Sequence, residues 1–270
     1  MTLWEYLVVA GAGLVAGAVN TVVGAGSLLT FPLLVALGVP PLTANVSNTV
    51  GLVPAAVTGA WGYRRELTGH WGTVGRMALM SASGAVVGAG LLLVAPGAFG
   101  TIVPLLLVVA AVLAAVQPRV AATIRRREQL AALARGETLT EPPPPGLADA
   151  VTRPVGPALA VGILLTGVYG GYFGAAQGVL LLAMLGIAWS ADLHRANGAK
   201  VVLAGVANLV AGAIFVASGE VDWLVAAIIA VGAAAGGVLG ARVGRRIPAP
   251  ALRVAIVVVG LVAAVALWVG

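Results

Sequence analysis

The chain alternates long apolar runs with short polar loops. A helix needs about 20 apolar residues to cross the hydrocarbon core of a membrane. Eight runs reach that length, near residues 3–23, 43–62, 73–95, 98–117, 154–173, 193–217, 221–241 and 250–269. Two more, near 27–38 and 178–189, cover about 18 Å at about 1.5 Å per residue, little more than half the core. The pattern predicts an all-α polytopic membrane protein with about eight full spans and two short helices that are either broken or re-entrant.

Composition agrees with a membrane protein and excludes several other classes. Hydrophobic residues make up 60% of the chain and charged residues only 9%, whereas soluble domains devote about a quarter of their residues to charge. The absence of cysteine excludes disulfides and thiol chemistry. His70 and His194 are too few and too far apart for a metal centre. With no carboxylate pair inside the spans and no nucleotide-binding loop, we expect neither an enzyme nor a cofactor.

Arginines cluster in alternate loops and predict the orientation of the spans. They flank three segments, at Arg64, Arg65 and Arg76, at Arg119, Arg125, Arg126, Arg127, Arg135 and Arg153, and at Arg242, Arg245, Arg246 and Arg253. The loops near 96–98 and 218–222 carry no Lys or Arg. Positive residues favour the cytoplasmic side, so both termini are predicted outside. This rule accounts for the basic balance without nucleic acid.

The chain divides into three parts. Residues 1–117 form a first membrane repeat and residues 154–270 a second. Between them, residues 118–153 are predicted to be a cytoplasmic linker. "RVAATIRRREQLAALARGE" is typical of an amphipathic helix on the membrane surface, and "TLTEPPPPG" of an extended tether.

The two membrane parts resemble each other. "GAGS" at 24–27 aligns with "GAAQ" at 174–177, and "TANVSNTV" at 43–50 aligns with "RANGAKVV" at 195–202. Arginine placement puts the loop after 43–62 inside and its counterpart outside, so the repeats are predicted to have inverted topology. Inverted repeats with interrupted helices are common in secondary transporters. The alternative is a chance match between helices rich in glycine and alanine.

The short runs begin at breaks that suit an anion. Gly24 and Gly26 permit a sharp turn, and Ser27 is placed to act as the N-cap of the next helix. The positive end of that helix would then face the protein interior, where it favours an anion. Residues 174–177 would do the same from the opposite side. The alternative is that these glycines serve helix packing alone.

Polar residues follow each break on a long helix. Asn45, Asn48 and Thr49 share a helical face, and Asn197 and Lys200 repeat the spacing. The only lysine of the chain lies inside an apolar helix, where ionisable groups are usually functional. It could pair with an anionic substrate, snorkel to the interface or bond an interhelical carbonyl. The predicted substrate site comprises Gly24, Ala25, Gly26, Ser27, Asn45, Asn48, Thr49, Gly174, Gln177, Asn197 and Lys200.

The cytoplasmic end of the second polar helix carries charged residues. Asp192 is a candidate N-cap for this helix. Arg195 either follows the charge rule or recruits an anion at the inner mouth of the site.

These motifs resemble the sulfite exporter TauE/SafE family of bacterial membrane proteins. The resemblance covers nearly the whole chain in two copies, through "VVGAGSLLTFPLLVALGVPPLTANVSNT" and "GYFGAAQGVLLLAMLGI…RANGAKVVLAGVANLVAG". The glycine turns are poorer in glycine than in many members, and Pro32 has no counterpart in the second half. The resemblance implies export of sulfite or an organosulfonate across the bacterial cytoplasmic membrane.

The leading hypothesis is therefore a secondary transporter that moves a small anion by alternating access. A passive anion channel is the alternative, because it would use the same donors. The expected partners are the small anion and the lipid bilayer, and the sequence leaves a homo-oligomer open. Outward movement of an anion runs down an inside-negative membrane potential and gains about 2.3 kcal/mol per charge per 100 mV.

Overall fold

The computed structural model describes residues 1–134, 152–190 and 192–243, and single residues from 257 to 267. Over these ranges the regular secondary structure is helical apart from one isolated bridge, and short turns join the helices. The helices are α1 Leu3–Val22, α2 Ser27–Ala36, α3 Pro41–Gly62, α4 Trp71–Val94, α5 Pro96–Ala134, α6 Pro157–Tyr172, α7 Gln177–Ala188, α8 Leu193–Ser218 and α9 Trp223–Val243. The predicted tether after 135 and most of the predicted span 250–269 lie outside the described residues.

Helix lengths confirm an all-α polytopic membrane protein. Among the described helices, α1, α4, α5, α8 and α9 are long and apolar enough to cross a membrane. Helix α3 has 22 residues but carries several polar side chains, and α6 has 16 residues. Helices α2 and α7, with 10 and 12 residues, are too short to cross, as the sequence predicts.

Helix α5 does not end where its apolar run ends. The sequence predicts a boundary at 117 and a separate surface helix after it, whereas α5 continues through Pro118 to Ala134. Arginine, glutamine, leucine and alanine in this stretch are strong helix formers. The end of the apolar run therefore marks a change from apolar to polar residues within α5, and the helix does not end there.

Two parallel helix pairs hold the bundle together through small residues. Helix α1 packs on α9, where Gly13 and Gly17 face Ile229 and Ala233 in turn. A Cβ atom on Gly17 would lie 2.8 Å from the Ala233 Cα atom. Helix α6 packs on α4 in the same way, with Gly167 facing Ser81 and Gly171 facing Ala85. Close backbone approach of this kind is how membrane helices gain packing energy.

The two short helices extend toward opposite ends of the bundle. Helix α2 carries Phe31 against Phe99 at the beginning of α5, with ring centroids 6.3 Å apart. Helix α7 ends beside the linker, where the carbonyl of Ile187 accepts hydrogen bonds from Arg127 and Arg153 at 3.5 and 3.4 Å. Both helices begin at the chain breaks in the middle of the bundle, and those breaks carry the candidate site.

Candidate functional site

The helices α1 and α6 end in the same way. The N–H group of Gly24 donates to the carbonyl of Val19, and that of Gly174 donates to the carbonyl of Tyr169, both at 3.0 Å. Gly24 has φ +83° and Gly174 has φ +74°. A glycine in the left-handed region is a common helix terminator, because a side chain is strained there. The predicted breaks at Gly24 and Gly174 are therefore present.

The two breaks touch each other. The N–H group of Gly178, in the first turn of α7, donates to the carbonyl of Gly24 at 3.1 Å. A Cβ atom on Gly24 would lie 2.5 Å from the Gly178 Cα atom, and one on Gly178 would lie 2.5 Å from the Gly24 Cα atom. The contact is backbone against backbone, and only glycine fits at either position.

The prediction that Ser27 acts as an N-cap is wrong. Helix α2 begins at Ser27, and its N-cap is Gly26, which has helical dihedral angles and makes no side-chain cap hydrogen bond. The backbone closes this turn, because the N–H groups of Leu28 and Leu29 donate to the carbonyls of Ala25 and Gly26 at 3.2 and 3.0 Å. No serine oxygen is needed when the chain is already helical at the residue before it.

The first N–H groups of helix α7 also donate hydrogen bonds to backbone carbonyls. Ala176 lies in the left-handed region with φ 59°, and the N–H group of Gln177 donates to the carbonyl of Gly174 at 3.2 Å. Val179 donates to the carbonyl of Ala176 at 3.0 Å. These N–H groups are thus engaged, and buried side chains near the breaks provide further donors.

Two asparagines join each half of the protein to the broken helix of the other half. Asn45 of α3 donates its side-chain N–H to the carbonyl of Tyr172, the last residue of α6, at 3.1 Å. Asn197 of α8 donates to the carbonyl of Thr21 near the end of α1 at 3.3 Å. Carbonyls at helix ends lack partners within their own helix. The paired Ala-Asn motifs of the sequence therefore perform equivalent tasks.

Lys200 supports the end of α1 together with Asn197. Its side chain is completely buried, and its Nζ atom donates to the carbonyls of Asn20 and Thr21 at 3.3 and 3.0 Å. Of the alternatives given by the sequence, the bond to interhelical carbonyls is the one observed. A positive group at a helix C-terminus also interacts favourably with the helix dipole. An ammonium group has three donors, so one is left beyond these two carbonyls.

Asn48 and Gln177 provide amide donors that find no partner among the described residues. Asn48 accepts a hydrogen bond from the Thr30 hydroxyl of α2, and its Nδ2 atom is buried without an acceptor. The Nε2 atom of Gln177 is likewise buried without one. Thr49 adds no such donor, because its hydroxyl bonds the carbonyl of Asn45 in its own helix at 2.9 Å.

The charged end of α8 consists of a capping aspartate and a buried arginine. Asp192 is the N-cap, as predicted, and accepts from the N–H groups of His194 and Arg195 at 2.8 and 3.1 Å. The Arg195 side chain is only 5% exposed. It therefore lies inside the protein, as Lys200 does, and its role at the inner mouth stays a prediction.

Some residues near the breaks could not be predicted from the sequence, because their side-chain type gives little or no indication of a role. Thr30 is a weak signal, as a polar residue inside the short apolar run of α2. Tyr172 and Thr21 contribute backbone carbonyls, which every residue possesses. Gly178 follows Gln177 directly, and its role depends on contact with a break more than 150 residues earlier in the chain.

Comparisons with known proteins agree with this architecture. The chain matches the family described as "Sulfite exporter TauE/SafE" over residues 9–267. It is 33% identical over 110 residues to "Probable membrane transporter protein ORF9" of Sinorhizobium sp. That match covers 40% of this chain and 41% of the relative, so it spans less than half of either protein. No solved structure matches the chain significantly. Since the family match covers most of the sequence, the chain belongs to the sulfite exporter TauE/SafE family of membrane transporters.

Proposed function

We propose that this protein is a secondary transporter that exports a small sulfur-containing anion, such as sulfite or an organosulfonate, by alternating access. The observation that carries the proposal is the contact between the two helix breaks. Gln177 directly precedes Gly178, and Lys200 bonds the carbonyl of Thr21, three residues before Gly24. Asn48 bonds Thr30 of α2, the helix that begins after this break, and all three polar side chains are buried. Buried polar and ionisable groups inside a membrane are costly and usually mark a transport pathway.

The chemistry of these groups favours an anion over a cation. Lys200 bonds backbone carbonyls and no carboxylate among the described residues, so its positive charge is not neutralised by an acidic side chain. The side chains of Asn48 and Gln177 add two further NH2 groups, each with two N–H donors. N–H donors and a positive charge recognise the oxygens of an oxyanion. The family membership supports the sulfur-containing class.

The packing of the helices supports two repeats of inverted topology. Helices α1 and α6 occupy corresponding places in the two repeats, as do α4 and α9. The parallel pair α1–α9 then corresponds to the parallel pair α6–α4. The short helices α2 and α7 point from the breaks toward opposite ends of the bundle. Both features are expected if the second repeat is an upside-down copy of the first, with the site between them.

Packed aromatic rings near each short helix support a carrier over a passive channel. Toward one end, the rings of Phe31, Phe99 and Phe173 pack against each other, with centroids 5.2–6.3 Å apart. Toward the other, Trp189 is 1% exposed and lies 6.0 Å from the His70 ring. A carrier is expected to pass through a state that is closed on both sides, whereas an open channel needs a continuous path.

Uptake of radiolabelled sulfite into proteoliposomes tests the proposal. We expect saturable uptake that is inhibited by excess thiosulfate and accelerated by an inside-positive membrane potential, because the anion carries its charge across the bilayer. Protein-free liposomes are the control. Uptake that rises linearly with concentration would favour the channel, and no uptake of any sulfur oxyanion would exclude the substrate class.

A further inference from the structure

The site contains buried hydrogen-bond acceptors as well as donors. The side-chain amide oxygens of Asn45 and Asn197 are buried, and neither finds a donor among the described residues. The two residues are 1% and 8% exposed. An anion has oxygens that only accept hydrogen bonds, so it could satisfy the donors of this site but not these two oxygens.

The orientation of these two amides follows from their partners. Each accepting partner is a backbone carbonyl, Tyr172 for Asn45 and Thr21 for Asn197. A carbonyl accepts but cannot donate, so the amide nitrogen must face it and the oxygen must face away. The choice between nitrogen and oxygen, which is often ambiguous for asparagine, is therefore fixed at both positions. Two acceptors are presented, one from each half of the protein.

We infer that the transported anion also carries a hydrogen-bond donor, an O–H or N–H group that bonds one or both of these oxygens. This inference rests on the proposed function and narrows its substrate class. Lys200, Asn48 and Gln177 bind the anionic oxygens, and Asn45 and Asn197 bind the hydrogen. A buried acceptor without a hydrogen carries a desolvation penalty, so a ligand that supplies the hydrogen is favoured over an isostere that does not. The donor sits either on the sulfur itself, as in hydrogen sulfite, or on a short organic arm of a sulfonate.

Pairs of sulfonates that differ in the donor alone test the inference. Sulfamate and methanesulfonate have similar size and equal charge, but only sulfamate carries N–H groups next to sulfur. Isethionate and propanesulfonate form the corresponding pair with the donor on an organic arm. Each would compete against radiolabelled sulfite uptake into proteoliposomes containing the full chain. We expect the donor-bearing member of at least one pair to inhibit at about tenfold lower concentration, which corresponds to about 1.4 kcal/mol. The pair that shows the difference tells where the donor sits.

Two variants separate recognition of the donor from a general loss of structure. Asn197→Leu removes one acceptor, and we expect the ratio of inhibitory concentrations within the responsive pair to fall toward one. Ser81→Ala is the control. It removes a buried hydroxyl of α4 that bonds, at 3.0 Å, the carbonyl of Leu203 in α8, the helix that also carries Asn197. We expect this substitution to leave the ratio unchanged. A ratio is insensitive to the amount of folded protein, so a purely structural role of Asn197 would not move it.

Each other outcome decides against the inference. Equal inhibition within both pairs, with sulfite uptake intact, overturns the requirement for a donor and leaves the anion carrier standing. A ratio that is the same in Asn197→Leu and the wild type overturns the role of that amide oxygen. Failure to transport or bind any sulfur oxyanion overturns the proposed function, and the inference falls with it.

Discussion

Gly24→Ala is expected to slow the proposed sulfite transport strongly and to lower the stability of the protein more than any other single methyl addition at the breaks. Two separate effects act at this position. Its φ of +83° strains any side chain, at a cost of about 1–2 kcal/mol. The added Cβ atom would also lie 2.5 Å from the Gly178 Cα atom, and backbone cannot move aside as a flexible side chain does. We expect uptake at least about tenfold slower per folded protein, because 1.4 kcal/mol corresponds to a factor of ten.

Two other glycines separate the strain from the clash. Gly38 has φ +86° but no atom within 4 Å of an added Cβ, so Gly38→Ala should lose about 1–2 kcal/mol of stability and keep normal uptake. Gly178→Ala introduces the clash without the positive φ and should impair uptake. In the double variant of Gly24 and Gly178 the losses should be less than additive, because both substitutions break one contact. Thermal unfolding in detergent and uptake into proteoliposomes measure the two effects. Normal uptake by Gly178→Ala would contradict the contact between the breaks.

Lys200→Met is expected to reduce the proposed sulfite uptake roughly a hundredfold. The substitution matches the lysine side chain as far as Cε but removes the Nζ atom that bonds the carbonyls of Asn20 and Thr21. Hydrogen bonds to a charged group contribute about 1.5–3 kcal/mol, and the positive charge proposed to hold the anion is lost with them. Uptake is measured as an initial rate at saturating sulfite and normalised to correctly folded protein.

Ser81→Ala is the matched control for Lys200→Met. Both side chains are completely buried, and both bond a backbone carbonyl of another helix. The hydroxyl of Ser81 lies between α4 and α8 and bonds neither break. We expect its removal to lower stability by about 1 kcal/mol and to leave the normalised rate of uptake close to that of the wild type. If Lys200→Met retained the wild-type rate, or if Ser81→Ala lost as much transport, the lysine would have a structural role only.

The fold could be predicted largely from apolar run lengths and glycine positions. Runs that are too short to cross a membrane became α2 and α7, and the glycines before them are the observed breaks. Where the prediction was wrong, local and tertiary effects decided. Helix α5 continued past its apolar run, because strong helix formers follow. Ser27 did not act as a cap, because Gly26 is itself helical and the backbone closes the turn.

The site could be predicted by residue type but not by contact. The sequence identified Asn45, Asn197 and Lys200, yet it could not show that all three bond carbonyls at the ends of helices in the other half. Backbone carbonyls have no sequence signature. The contact between Gly24 and Gly178 could not be predicted from the sequence either, because it depends on how two distant breaks pack together.

The most direct test of alternating access is the effect of internal substrate on the rate of uptake. Proteoliposomes are loaded with unlabelled sulfite or left empty, and the initial uptake of radiolabelled sulfite is compared at zero membrane potential. A carrier must return its site to the outside after each uptake step. We expect labelled sulfite to enter loaded vesicles several times faster, because the site returns faster when it carries internal sulfite than when it is empty. Equal rates into loaded and empty vesicles would contradict the carrier and indicate a passive path through the protein.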